Sequence, residues 1–322
     1  MSSKKYGEIH TREIIGSDFD AVAKFLSNGM GYSHGYFFRL LRHMAQHPSP
    51  AGFPKYGRLL ESDGAIVGAI ILIFSTIYSD GIPSIRCRVC SWCVATAYRG
   101  YAALFLAKDL KHGNVTYLNI SAKADTLPII GVQGFTRYSS GQFIAVPALQ
   151  FASGDDQAKV IGVEDIPTAP FAPFERDLLL AHTRYGCICF WCVTSARAFP
   201  FIFRPLFLKR FVPGAQLIYC SDIEHLVRFR GPIGRFLALR GKFMVRIDSN
   251  GPIPGLVGMF WEGRGCRYYK GPKPRIGDLA YTDLAMCGWA MRPKAARRPS
   301  GNEPATRVHR LISRGMVGMS CQ

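Results

Sequence analysis

The chain has 322 residues, 48% hydrophobic and 19% charged, with 40 Lys and Arg against 22 Asp and Glu for a net charge of +18. That balance excludes a disordered chain, and the length suits about two domains with cores large enough to need no staples. The basic excess points to an anionic partner: nucleic acid, acidic lipid or a phosphate-bearing cofactor. No apolar run approaches the roughly 20 residues of a membrane helix. The best stretch, Ala65 to Phe74, is strand-sized. The opening MSSKKYGEIH is polar, with no apolar segment after it, and does not read as a secretory signal. The ten Cys are expected as thiols in a reducing compartment, and the protein as soluble and cytoplasmic.

In chain order, His10 to Ile15 reads as a strand. Ser17-Asp18 caps a helix that places Phe19, Val22, Phe25 and Leu26 on one side. A second helix spans Gly35 to Gln46 and ends in a Pro-rich loop. Tyr56 to Glu61 and Ala65 to Ser75 are strands joined by Ser62-Asp63-Gly64, a hairpin signal. Ser84 to Thr96 is a strand, Tyr101 to Lys111 a helix, Val115 to Ala122 a strand. A short helix over Leu127 to Gln133 precedes Gly134-Phe135 and a strand over Gly141 to Val146. Val146 to Pro173 reads as a linker. Beyond it come a helix (Phe174 to His182) and strands over Cys187 to Thr194, Phe199 to Phe207 and Gln216 to Cys220. Asp222 to Leu239 is a helix interrupted at Gly231-Pro232. Strands over Phe243 to Asp248 and Leu256 to Trp261 follow. The menu is mixed α/β, with early antiparallel hairpins and a later β-α-β crossover.

The segment that carries chemistry is Ser91 to Phe135. The strand SWCVAT turns through Ala97-Tyr98-Arg99-Gly100-Tyr101-Ala102-Ala103 into a helix. Such a turn presents backbone N–H groups at a helix start, which suits an anion such as a pyrophosphate. Arg99 adds charge, and Gly100 allows close backbone approach. An ordinary strand-turn-helix with a solvated Arg fits the same residues.

The stretch from His10 to Pro147 resembles the GNAT superfamily of acyl-CoA-dependent acyltransferases. The resemblance rests on the hairpin ESDGAIVG, the strand before Tyr98-Arg99-Gly100, the strand ending Leu118-Asn119-Ile120-Ser121, and Gly134-Phe135 before a final strand. It implies a mixed, mostly antiparallel sheet flanked by helices. It also implies acetyl-CoA or acyl-CoA as co-substrate, with Cys93, Val94 and Ala95 lining pantetheine. Arg99, Gly100, Tyr101, Ala102 and Ala103 would hold phosphate. The family turn reads Gln/Arg-x-x-Gly-x-Gly/Ala; here Ala102 and Leu104 stand at the Gly positions, and Leu104 narrows the approach. The family's general-acid Tyr, four residues before Gly-Phe, is Ile130 here. Tyr138 and Cys90 are the substitutes at hand. Glu61 is a candidate base for the acceptor amine, or simply begins a turn at the sheet end. His34 and His112 read as surface or cap residues.

Cys87, Cys90 and Cys93 have C-x2-C-x2-C spacing, and Cys187, Cys189 and Cys192 form a second cluster. On a strand Cys87 and Cys93 face one side and Cys90 the other, so no metal is expected. Lys209, Arg210, Arg228, Arg230, Arg235, Arg240 and Lys242 surround an apolar helix with Phe229, Phe236 and Leu237. Basic residues beside aromatics can track nucleic acid, but no recognition motif accompanies them.

The expected organisation is a GNAT-like acyl-CoA-binding domain over 1–150, a divergent GNAT-like second domain over 151–291, and a basic, disordered tail over 292–322. The expected function is transfer of an acyl group from acyl-CoA to an amine or hydroxyl acceptor by direct attack, the acceptor lying between the halves. The alternatives are a non-catalytic CoA-binding module and a basic nucleic-acid-binding protein. The turn Cys220-Ser221-Asp222-Ile223-Glu224 puts carboxylates where a second pyrophosphate would sit, so one CoA per chain is expected, in the first half.

Overall fold

Strand β1 (Ile9–Glu13) leads through a 3-10 turn into α1 (Phe19–Met30). Asp18 Oδ2 accepts from the Ile15 N–H at 2.9 Å, fixing that entry. Ser33 Oγ accepts from the Tyr36 N–H at 3.2 Å and starts α2 (His34–Gln46). β2 (Gly57–Ser62) and β3 (Ala65–Ser79) meet at Asp63 (φ 50°) and Gly64 (φ 75°), both left-handed as a tight hairpin requires. β4 (Ile82–Val94) follows, then a 3-10 segment (Thr96–Tyr101), α3 (Ala102–Ala107), β5 (Val115–Asn119), α4 (Leu127–Val132) and β6 (Thr136–Ala145). The helix expected over Tyr101 to Lys111 thus starts earlier, as 3-10, and ends earlier.

The second half holds β7 (Lys159–Gly162), α5 (Pro173–Arg184), β8 (Ile188–Val193), β9 (Ala198–Leu208), β10 (Val212–Cys220), α6 (Ile223–Arg228), α7 (Arg230–Ala238), β11 (Met244–Ser249), β12 (Gly258–Lys270) and α8 (Asp283–Met286). The break between α6 and α7 falls at Phe229 instead of Gly231-Pro232, because Pro232 sits in the first turn of α7, where no N–H is missed. The segment expected as a linker contains the edge strand β7, paired to β8.

The computed structural model describes residues 8–79, 81–122, 126–146, 158–208 and 211–287. The tail expected over 292–322 lies outside them. The described strands form one 12-stranded sheet in the order β1-β2-β3-β4-β5-β12-β6-β11-β10-β9-β8-β7. Its parallel pairs are β4–β5 and β10–β11. Each half therefore repeats the same plan, and the halves exchange their last strands: β12 lies between β5 and β6, and β6 between β12 and β11. Helices α1, α2 and α5 pack one face of the sheet, over clusters that include Leu40, Ile71 and Leu179. Helices α3, α4, α6 and α7 pack the other, over clusters that include Leu106, Ile130, Phe201 and Ile233.

From β12 the chain returns as a strap across the first face. Arg86 on β4 pairs with Asp278 Oδ2 at 3.0 Å and donates to Ala280 O at 2.6 Å. Arg88 meets Asp283 at 2.7 Å, and Met286 O accepts from His43 Nδ1 at 2.6 Å. The strap thus ties both halves to α2 and α5.

Candidate functional site

β4 and β5 run together only from Ile85 to Arg88 and from Val115 to Leu118. Beyond Arg88, β4 continues to Val94 paired to β3 alone, so its second edge faces open space. A β-bulge sharpens the divergence. Ala69 pairs with Cys93 and Ile71 with Cys90, leaving Ser91 and Trp92 opposite Ile70, with Ser91 at φ 51°. The result is a V-shaped cleft of about 230 Å³ whose walls include Trp92, Cys93, Val94, Asn119, Ser121 and Ile130.

Arg88 is the last residue of β4 paired to β5 and stands where the V opens. Its guanidinium donates to Asp283 Oδ1 at 2.7 Å, Ser121 Oγ at 2.8 Å and Leu118 O at 3.3 Å. Burial opposes its charge, and Asp283, with Cys90 and Tyr36 beside it, raises its pKa overall. At the wall, the Trp92 Nε1–H is buried without an acceptor among the described residues. Gly29 of α1 packs so close that an added Cβ would lie 2.3 Å from Cys93 Sγ. Neither Gly29 nor Trp92 was singled out by the sequence, because the bulge that aims them leaves no signature in residue spacing.

The expected site residues divide. Cys93, Val94 and Arg99 line the cleft together, with Arg99 exposed at its mouth. Ala95 donates its N–H to Val67 O at 2.8 Å at the end of β4. An added Cβ at Gly100 would meet nothing within 4 Å, so the turn is open there. Ala103 O accepts from Gln133 Nε2 at 3.3 Å, and Ala102 begins α3. Tyr101 and Leu104 line a different groove, against Ile9 and Leu60, so the Leu104 side chain does not narrow the approach.

The candidate acid and base do not join them. Glu61 is held by Arg12 through two contacts of 2.9 Å at the β1–β2 edge. Tyr138 is buried on the strap side of β6, and burial and then Asp248 push its phenol well above its ordinary range. Ile130, at the position where the resemblance places an acid, lines the cleft with an apolar side chain. Cys90 lines it as well, but burial and then Asp283 keep its thiol protonated. Among the described residues, no carboxylate, imidazole or phenol lines this cleft.

The bulge also corrects the cysteine geometry. One extra residue in β4 reverses the alternation, so Cys93 joins Cys90 on the α1 side while Cys87 faces α3. Among the described residues, no three His, Cys, Asp or Glu gather closely enough to hold a metal ion. The basic residues around α7 lie partly on aromatic rings: Arg240 sits 3.6 Å from the Phe236 centroid and Arg228 5.0 Å from that of Phe229. No described helix is long and apolar enough to cross a membrane.

The counterpart of the cleft in the second half is filled by the chain itself. β10 and β11 pair over Gly214–Gln216 and Met244–Arg246, and β10 then runs on to Cys220. There its free edge is taken by the strap: Cys220 N–H donates to Gly277 O at 3.0 Å, and Leu279 N–H to Ile218 O at 2.7 Å. The following helix is capped from within, as Asp222 Oδ1 accepts from the Glu224 N–H at 2.9 Å. A separate cavity of about 310 Å³ between the halves is lined by His47, Tyr78, Phe174, Asp177, Tyr219 and Tyr281, among others. It shares no lining residue with the β4–β5 cleft and includes Asp177 and Asp278 where arginines were expected.

No family model and no curated sequence matches the chain. Solved structures do. A GCN5-related N-acetyltransferase from Anabaena variabilis superposes at a TM-score of 0.54 and 10% identity, over 85% of this chain and 74% of its own. One from Kribbella flavida gives 0.54 and 12%, over 83% and 72%. A protein described as an acetyltransferase from Pyrococcus horikoshii gives 0.53 and 13%, over 87% and 98%. The chain therefore has the GNAT fold: a large, mostly antiparallel sheet flanked by helices, with the likeness extending over both halves.

Proposed function

We propose that the chain binds one acyl-CoA in the β4–β5 cleft and transfers the acyl group to an amine or hydroxyl acceptor. The observation that carries this reading is the unpaired edge of β4 beyond Arg88, facing a cleft with Arg99 at its mouth, while the equivalent edge of β10 is already paired. The pantetheine arm is a chain of amides that an open strand edge can hydrogen-bond as it would a neighbouring strand. Cys93, Val94 and Ala95 supply that edge. The turn from Arg99 to Ala103 supplies charge and backbone N–H groups for the phosphates, with Gly100 leaving room. Residues 1–150 would then be the acyl-CoA-binding half and 151–291 a second half that contributes shape. The bound acyl-CoA supplies the thioester. The orphan Trp92 N–H is a donor suited to an amide or thioester oxygen inside the V.

A second reading is a CoA-binding module without turnover. It is favoured by the lack of a carboxylate, imidazole or phenol along the described walls of the cleft. Calorimetric titration of the full chain with acetyl-CoA tests the common part: the expected stoichiometry is near one. A value near two, or no heat of binding, overturns it. Incubation with acetyl-CoA and a panel of amines and alcohols, read by mass spectrometry of the products, separates the two readings. Binding with no acyl product supports the second.

A further inference from the structure

On the strap face of the second half, three neighbouring strands each present a buried donor that has no acceptor. Gln216 on β10 pairs in register with Arg204 on β9 and with Arg246 on β11, so the three side chains stand side by side. Arg204 is 6% exposed and Gln216 1%. Arg204 Nε, Gln216 Nε2 and Arg246 Nε are all buried without a partner among the described residues. The orientation of the Gln216 amide follows from its other end: Oε1 accepts from Arg204 Nη2 at 3.4 Å, which leaves Nε2 to donate.

The charge there is also unbalanced. The acids nearby are committed elsewhere: Asp248 holds Arg267 through contacts of 2.7 and 3.0 Å, and Asp283 holds Arg88. Among the described residues, Arg204 otherwise donates to the carbonyl of Leu284, at 3.2 Å. Burial, then Arg204, Arg264 and Arg267, bring the Arg246 guanidinium down to about 10. The rim is partly open, with Met259 62% exposed and Arg264 stacked over Trp261 at 4.5 Å. Buried cations and amide donors of this kind are ordinarily satisfied, and leaving them bare is costly.

We propose that Arg204, Gln216 and Arg246 form a binding site for a small oxyanion, a carboxylate or a phosphate group. Two guanidiniums and one amide donor stand at adjacent register positions on one patch of the sheet, and guanidinium forks and amides are the groups that recognise a planar carboxylate or a phosphoryl group. This site is separate from the β4–β5 cleft and does not depend on what binds there.

Thermal unfolding of the full chain at fixed pH and ionic strength tests it, with inorganic phosphate or acetate replacing chloride in separate titrations. A saturable rise in Tm above the chloride baseline is expected for at least one of them, and the oxyanion acting at lower concentration identifies the group. In Arg246→Met the response should move at least tenfold to higher concentration, and Arg246→Lys, which keeps the charge and loses the fork, should lie between. Gln216→Leu, read the same way, serves if Arg246→Met does not fold. Equal responses in wild type and variants, or none beyond chloride, overturn the proposal.

Discussion

Gly29 and Cys93 show how a cleft depends on single atoms. Because a Cβ on residue 29 would stand 2.3 Å from Cys93 Sγ, Gly29→Ala forces α1 away from the bulge. Overpacking of this kind costs about 1–3 kcal/mol, measurable by urea unfolding. Adding Cys93→Ala should recover much of that loss, because it removes the atom being struck; additive losses would show that the contact is not the cause. Arg99 acts through charge instead. It is exposed at the cleft mouth, so Arg99→Ala should leave stability nearly unchanged and weaken acetyl-CoA binding by ~1.5–3 kcal/mol, the scale of a charge-assisted hydrogen bond. Calorimetry showing the same affinity in the variant would remove Arg99 from the site.

At the scale of elements, the strap is held by two neutral histidines. His182 Nδ1–H donates to Leu178 O at 2.8 Å, and its Nε2 accepts from the Tyr281 N–H at 3.0 Å, so both ring nitrogens are satisfied without a charge. His47 lies on the other side of Tyr281, with ring centroids 4.7 Å apart, and its Nε2 lies 2.9 Å from Ser75 Oγ. Burial brings both imidazoles down to about 4. An unfolded histidine titrates near ~6.5, so above that pH neither state takes a proton and folding is unaffected. Below it the unfolded chain gains protons that the folded chain refuses, and stability falls between pH ~6.5 and 4 by about 3 kcal/mol for each group. Tm should therefore drop steadily across that window. His182→Gln should melt lower at pH 7 and show a shallower drop; an unchanged slope would mean that His182 is not the group responsible.

For the molecule as a whole, the exchange of β6 and β12 makes the halves interdependent. β6 has its two sheet neighbours, β11 and β12, in the second half, and β5 borders β12. Neither half can complete its sheet without the other. The strap adds buried ion pairs across the same boundary, from Arg86 to Asp278 and from Arg88 to Asp283. Unfolding should then be one cooperative transition, with calorimetric and van't Hoff enthalpies equal. Two resolved transitions would mean that each half keeps its core when the other opens.

Local chemistry made the elements legible from the sequence alone. Asp63-Gly64 specifies a hairpin because both residues accept left-handed backbone, and the apolar run after it can only be a buried strand. The turn after Val94 was readable from its Arg99-Gly100 chemistry, and Ile130 only through its place before Gly134-Phe135 in the family resemblance. The candidate site was readable only in part. A bulge is a shift between two strands, so spacing within one strand could not show that Cys93 turns to the side of Cys90, or that Trp92 and Gly29 meet the cleft. The Arg88–Asp283 pair where the cleft opens joins residues 195 positions apart, and no local pattern links them. The same holds for the plugged edge of β10 and for the exchanged strands. These depend on which unsatisfied backbone edges come together once the sheet is built, and pairing between distant edges was decided by the tertiary structure.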